Sequence, residues 1–153
     1  MMVWVMRLAY TLMRVQWWIF RPILLGVRIV LLQGDQVLLV RHTYVRGWNF
    51  PGGSLHRGET PLEAAVREAR EEVGAELLEP AELVGLFSSF TSGKSDHVAL
   101  FVARNFRLGE ATDRFEIAEQ RFFALDELPA ELGRGALRLL HDLERPGPRS
   151  ERW

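Results

Sequence analysis

The fold class this sequence predicts is α/β (α+β): a single domain with mixed strands and two or three helices. Three observations carry the prediction. Short runs rich in Val, Leu, Ile and Phe, bounded by turn residues, recur along the chain. One central segment has helical periodicity with capping residues at both ends. The length of 153 residues, 48% hydrophobic and 25% charged, suits one domain with a substantial core.

Residues 1–20, MMVWVMRLAYTLMRVQWWIF, form the first expected element. No basic region precedes the apolar run and no small-residue cleavage site follows it, so it does not fit a secretory signal. Arg7, Thr11, Arg14 and Gln16 interrupt it, which also argues against a transmembrane span. Arg7, Thr11 and Arg14 share one face at helical spacing, so residues 1–21 read as a helix with a narrow polar stripe and a wide apolar face. Such a face needs a partner. The sequence favours a homodimer through this helix over peripheral membrane contact, because two arginines attract anionic lipid by only about 1 kcal/mol each.

After Pro22, GVRIVLLQGDQVLLVRH predicts two strands around a Gly34–Asp35 turn. A loop, TYVRGWNFPGG, leads into a helix opened by Thr60 as N-cap, Pro61 at the first helical position and Glu63 three residues after the cap. Leu62, Ala65, Val66, Ala69 and Val73 are the expected buried face, and Gly74 the terminator. ELVGLFSSF (82–90) and HVALFVARNF (97–106) predict strands joined by a turn at TSGKSD, with Phe87, Phe90 and Phe101 in the core. A polar stretch with Gly109, Asp113 and Glu116 precedes a strand at EQRFFAL, and GALRLLHDLE predicts a last helix. The expected organisation is an N-terminal helix (1–21), a domain (22–145) and a disordered tail (146–153).

Composition excludes several functions. There is no cysteine, so disulfides, thiolate catalysis and cysteine zinc sites are ruled out. Net charge is -1, so no whole-chain field recruits a nucleic acid polymer or an anionic membrane. Cysteine-free composition fits a cytoplasmic protein.

The stretch from Gly52 to Gly74 poses the functional question. Glu68, Glu71 and Glu72 lie within roughly a 100° arc of the helix, flanking its buried side, with Glu63, Arg67 and Arg70 expected on the other flank. Like charges so placed repel. An exposed acidic helix is the simple explanation; a divalent cation among the carboxylates is the other, since hard cations take oxygen ligands.

The residues around the helix bear on the choice through a family resemblance. Gly53, five residues, Glu59, seven residues, then Arg67-Glu68-Ala69-Arg70-Glu71-Glu72-Val73-Gly74-Ala75 resembles the box of the Nudix hydrolases at every charged and glycine position. The two bulky aliphatic positions hold the smaller Ala69 and Ala75. The resemblance runs from about residue 23 to 142, and includes W-N-F-P-G-G before the box and E-Q-R-F-F-A-L-D-E-L-P after it. It implies an α/β/α sandwich with a mixed sheet, and hydrolysis of a nucleoside diphosphate linked to another group: an NTP or dNTP, a nucleotide sugar or an ADP-ribose-like compound. It implies Mg²⁺ or Mn²⁺ held by Glu68 and Glu72, with Glu71 and the Gly53 carbonyl contributing. Arg67 would orient a glutamate, Glu59 would support from outside, and Glu116 is the candidate for an extra ligand or base, with Glu119 its rival. Arg41 is a candidate phosphate-binding cation, with a surface charge as the alternative, and His42 could join it, with a structural role as the alternative. Tyr44 and Trp48 are candidates to stack on a base, although core packing is the favoured reading of Trp48 beside Pro-Gly-Gly. The other reading is a catalytically weak nucleotide-binding or regulatory module, which an intact set of acids disfavours.

Overall fold

A computed structural model describes residue 12 and residues 23–90, 95–112 and 115–144. The expected N-terminal helix (apart from Leu12, which is helical), the centre of the TSGKSD turn, Asp113 and the tail lie outside these residues.

Among the described residues the main sheet has five strands in the order β4-β5-β1-β2-β7. They are β1 (Ile23–Gln33), β2 (Gln36–His42), β4 (Glu82–Ser89), β5 (Ser95–Ala103) and β7 (Ile117–Ala124). β1 and β5 run parallel, and the other neighbouring pairs antiparallel, so the sheet is mixed. Gly34, at φ 61, makes the hairpin turn.

Helix α1 (Pro61–Val73) covers one face. Its first turn closes as the sequence predicts: the Thr60 hydroxyl accepts from the Glu63 N–H, and the Glu63 carboxylate accepts from the Thr60 N–H at 2.8 Å. Gly74, at φ 68, ends it and donates to the Arg70 carbonyl at 3.0 Å. Ala64, Ala65, Ala69 and Val73 pack on Val27, Ile29, Leu38, Val40 and Phe101. Helix α2 (Arg134–Glu144) covers the opposite face, where Ala136, Leu139 and Leu140 meet Val30, Leu39, Leu100 and Phe87. Two helices on opposite faces of one sheet make the expected α/β/α sandwich.

Several expectations are corrected. Leu62 and Val66 are 37% and 38% exposed, while Ala64 and Glu72 are buried. Small alanines let the helix backbone come close to the sheet, which rolls the larger residues to the edge. Phe90 is 59% exposed just past the end of β4, with its ring nearly perpendicular to that of His97. The strand expected at 97–106 breaks at Arg104–Asn105. Phe106–Leu108 forms β6, which pairs with β3 (Ala75–Leu77) in a separate two-stranded sheet. The Gly109 N–H donates to the Gly74 carbonyl at 2.8 Å, tying that small sheet to the end of α1.

The feature that positions the site is a wedge in the main sheet. β1 pairs with β2 only near the hairpin, from Leu31 to Gln33. Further on, the segment 49–54 runs between them. The Val40 and Asn49 backbones exchange hydrogen bonds, while Ile29 N–H donates to Pro51 and Val27 N–H to Gly53. Gly52, at φ 142, presses so close to β1 that a Cβ there would lie 2.2 Å from the Val27 carbonyl oxygen. Only glycine fits.

Candidate active site

The wedge delivers Gly52 and Gly53 to α1, and α1 delivers its glutamates to the wedge. Glu72 is the most tightly held. Its side chain is 5% exposed; Oε1 lies 2.9 Å from His42 Nε2, and Oε2 accepts from the Gly52 N–H at 2.9 Å. A carboxylate accepts only, so the His42 proton facing it sits on Nε2. Glu68, one turn earlier, lies against Gly53, where a Cβ would fall 2.4 Å from Glu68 Oε1. Burial pushes the Glu68 carboxyl above the ordinary carboxylate range, Arg67 opposes the rise, and the neighbouring charges of Glu72 and Glu71 add to it.

Arg67 organises the other acids. It makes a two-point pair with Glu59, Nε to Oε1 at 2.8 Å and Nη2 to Oε2 at 3.0 Å. Nη1 reaches Glu68 at 2.8 Å and Glu71 at 3.1 Å, and Nη2 also donates to the Ser54 carbonyl at 3.0 Å. The sequence placed Arg67 on the flank away from the acids; its long side chain folds back along the helix instead. Hydrogen bonding from Arg67, and from the His56 N–H, holds the Glu59 carboxyl down at about 2.

Glu116 enters from the loop before β7. Its backbone carbonyl accepts from the Thr43 N–H at 2.8 Å, and its carboxylate accepts from the Tyr44 hydroxyl at 3.3 Å. Burial raises the Tyr44 hydroxyl above its ordinary range, and the charges of Glu116 and Glu72 raise it further. Tyr44 thus feels the charge of both carboxylates while bonding to Glu116, and its ring lies 5.3 Å from that of His42.

Three expected residues are placed differently. Arg41 pairs with Glu119 and lies 5.3 Å from the centre of the Trp48 ring. It lies beside Trp48 on the α2 side, whereas His42 faces Glu72 of α1. Trp48 is 6% exposed and edge-on to Phe123 at 4.7 Å, so its ring is packed in the α2-side core. The Gly53 carbonyl, expected to face a cation, already accepts from the Val27 N–H at 2.8 Å, while the Gly52 carbonyl accepts from Arg28.

Arg28 and His42 are the residues that the sequence underweighted. A cleft of about 330 Å³ is lined by Arg28, His42, Tyr44, Asn49, Gly52 and Gly53, among others. A charged residue inside the run VRIVLL was the available signal for Arg28. A cavity of similar size, about 340 Å³, lies at the far end of the sheet beside Gly34 and Leu125 and touches no box residue.

No three carboxylate or imidazole groups among the described residues converge closely enough to hold a metal as they stand. The donor chemistry nonetheless fits Mg²⁺ or Mn²⁺. Glu68, Glu71 and Glu72 are hard oxygen donors on adjacent turns, and each Glu72 oxygen keeps a lone pair beyond the one it gives to His42 or Gly52. The Cβ-free Gly53 makes the room in which the Glu68 carboxylate sits.

Comparison with known proteins agrees with this fold. The RNA pyrophosphohydrolase of Xanthomonas campestris pv. campestris (strain B100) is 48% identical over 67 residues, 43% of this chain and 31% of that protein. The chain thus spans about a third of the length of the curated relatives it matches. The crystal structure of a MutT NUDIX hydrolase from Burkholderia pseudomallei superposes with a TM-score of 0.70 at 23% identity, covering 78% of this chain and 96% of that one, a likeness of fold. The structure of a UDP-X diphosphatase superposes at 0.55 with 26% identity, over 80% and 64% of the two chains. The name of the curated relatives, RNA pyrophosphohydrolase, is not fully consistent with the expectation that no nucleic acid polymer is a partner. The model of the NUDIX domain matches residues 22–143, most of the chain, and the protein belongs to the NUDIX family.

Proposed function

We propose that this chain is a metal-dependent pyrophosphohydrolase. Its substrate would be a nucleoside diphosphate linked to another group: an NTP or dNTP, a nucleotide sugar, an ADP-ribose-like compound or, given the relatives' name, the 5′ end of an RNA. The observation that carries the reading is the meeting of the box glutamates with the Gly52–Gly53 wedge at the edge of a cleft.

Glu68, Glu71 and Glu72 would hold Mg²⁺ or Mn²⁺, which supplies neutralisation of the diphosphate and acidification of water. His42 and the Gly52 N–H fix the direction of the Glu72 carboxylate. Arg67, anchored on Glu59, keeps Glu68 and Glu71 apart from each other's repulsion. Glu116, steadied by Tyr44, is the carboxylate we assign as base. Water attacks phosphorus, its proton passes to that carboxylate, the P–O bond of the anhydride breaks and the leaving phosphate departs. Further parts of the reading are a cytoplasmic location and contact between two copies through residues 1–20.

The test is a panel of dNTPs, NTPs, UDP-sugars, ADP-ribose and a 5′-triphosphorylated RNA oligonucleotide, with Mg²⁺, with Mn²⁺ and with EDTA. Phosphate and pyrophosphate release are read separately. Metal-dependent turnover of one class is expected. Folded protein that hydrolyses none of them would hand the chain to the binding-module reading.

A further inference from the structure

We propose that Arg28, in the middle of β1, is the residue of the cleft that binds the substrate's phosphate groups. The inference rests on the pyrophosphohydrolase reading and deepens it by naming the cation that receives the diphosphate.

A guanidinium on this strand calls for an explanation. Its neighbours Val27 and Ile29 are fully buried, and the run VRIVLL is otherwise apolar. Charged groups are rarely placed in such a setting without a partner. No carboxylate partners Arg28 among the described residues. Nη1 donates instead to two backbone carbonyls, to Gly52 and, at 3.3 Å, to Val27. Nε and Nη2 take no partner among the described residues. Two carbonyls thus fix one nitrogen of a planar fork, and the remaining donors belong to a side chain lining the cleft. A pre-oriented fork suits the paired oxygens of a phosphate.

The electrostatics of the cleft agree. Among its described lining residues Arg28 is the only arginine or lysine, and the other charged or titratable side chains are Asp96, His42 and Tyr44. Its charge is felt at the Tyr44 hydroxyl, where it works against the effects of burial, Glu116 and Glu72. A diphosphate approaching Glu68, Glu72 and Glu116 meets repulsion that a fixed cation offsets. Of the other arginines near this end of the sheet, Arg41 and Arg121 pair with Glu119 beside Trp48, Arg67 serves Glu59, Glu68 and Glu71, and Arg46 lines a neighbouring cavity.

The contact also links binding to the carboxylates. Gly52 accepts from Arg28 through its carbonyl oxygen and donates to Glu72 through its N–H, so the two peptide groups that flank one α-carbon hold the phosphate cation and the glutamate.

The probe is inorganic pyrophosphate in Mg²⁺ buffer, titrated calorimetrically into the full chain. Wild type, Arg28→Met, Arg28→Lys and Arg41→Met are compared, with thermal melts to confirm folding. A charge-assisted hydrogen bond to phosphate predicts that Arg28→Met weakens binding about tenfold or more. Arg28→Lys should fall between it and wild type, and Arg41→Met should match wild type. The salt dependence of affinity should flatten in Arg28→Met, which a purely structural role would not produce. On the best substrate of the panel, KM should rise in Arg28→Met. Wild-type affinity in Arg28→Met, or no pyrophosphate binding by wild type, overturns the assignment. Arg28-dependent binding without hydrolysis of any substrate would sink the enzyme reading and leave the anion site. Hydrolysis with unchanged KM and affinity in Arg28→Met would do the reverse.

Discussion

Glu72 carries the residue-scale argument, because it is a buried carboxylate with both oxygens engaged. Glutamine in its place keeps the shape but offers one acceptor oxygen and an NH₂ group. That oxygen can still receive the Gly52 N–H, and a neutral His42 can shift its proton to Nδ1 and accept at Nε2. The fold should therefore survive Glu72→Gln while turnover falls about 10²-fold or more through loss of the charge. Glu63→Gln is the control, since glutamine serves a capping box as well as glutamate does. Steady-state kinetics with a melting curve for each variant decide it; Glu72→Gln turning over like wild type would remove Glu72 from the site. Residues of the box were legible because their partners lie at fixed local spacing. Arg28 and His42 were not, because Arg28 meets Gly52 across 24 residues and His42 meets Glu72 across 30. Arg41, which the sequence left open as a surface charge, lies beside Trp48 and pairs with Glu119 across 78 residues, a partner that local spacing does not reveal.

At the scale of elements, the glycine that ends α1 does more than stop a helix. Gly74 sits at φ 68, and a Cβ on it would fall 2.5 Å from the Gly109 carbonyl oxygen. Backbone cannot swing aside as a side chain can. Gly34, at φ 61, has nothing within 4 Å of the same position. Both alanine variants meet the left-handed penalty of roughly 1–2 kcal/mol. Only Gly74→Ala must also displace the β3–β6 sheet, so its urea midpoint should fall clearly below that of Gly34→Ala; equal midpoints would show that the small sheet yields freely. The helix ends were readable since capping is local chemistry. The buried face was readable only in part. Apolar size chose Leu62 and Val66, whereas close packing against the sheet chose Ala64 and admitted Glu72. β3 and β6, three residues each, are too short to show a period.

At the scale of the whole molecule, the sheet keeps its two tasks on opposite faces. The α1 face holds the acids and the α2 face holds the larger aromatic core. The domain has its own core without residues 1–20, so deleting them should leave hydrolysis intact. If they join two copies, the deletion should turn a dimer into a monomer by light scattering; a full-length monomer that co-sediments with liposomes would give the segment to a membrane instead. Metal linkage engages the whole fold more directly. Among the described residues Arg67 is the only cation bonded to Glu68 and Glu71, and Glu72 bonds to His42 and the Gly52 N–H. A divalent ion that binds only the folded arrangement of these three acids must stabilise that arrangement by mass action. At a free concentration a hundredfold above its dissociation constant the gain is about 2.7 kcal/mol. For a chain of this length that corresponds to a rise of roughly 5 to 10 °C in the melting temperature. The rise should appear with Mg²⁺ or Mn²⁺, disappear with EDTA, and be absent from a Glu68→Gln/Glu72→Gln double variant. Differential scanning calorimetry of both proteins measures it. An equal rise in the double variant would mean that the ion binds elsewhere on the surface, and the box glutamates would then be an acidic face of a helix and nothing more.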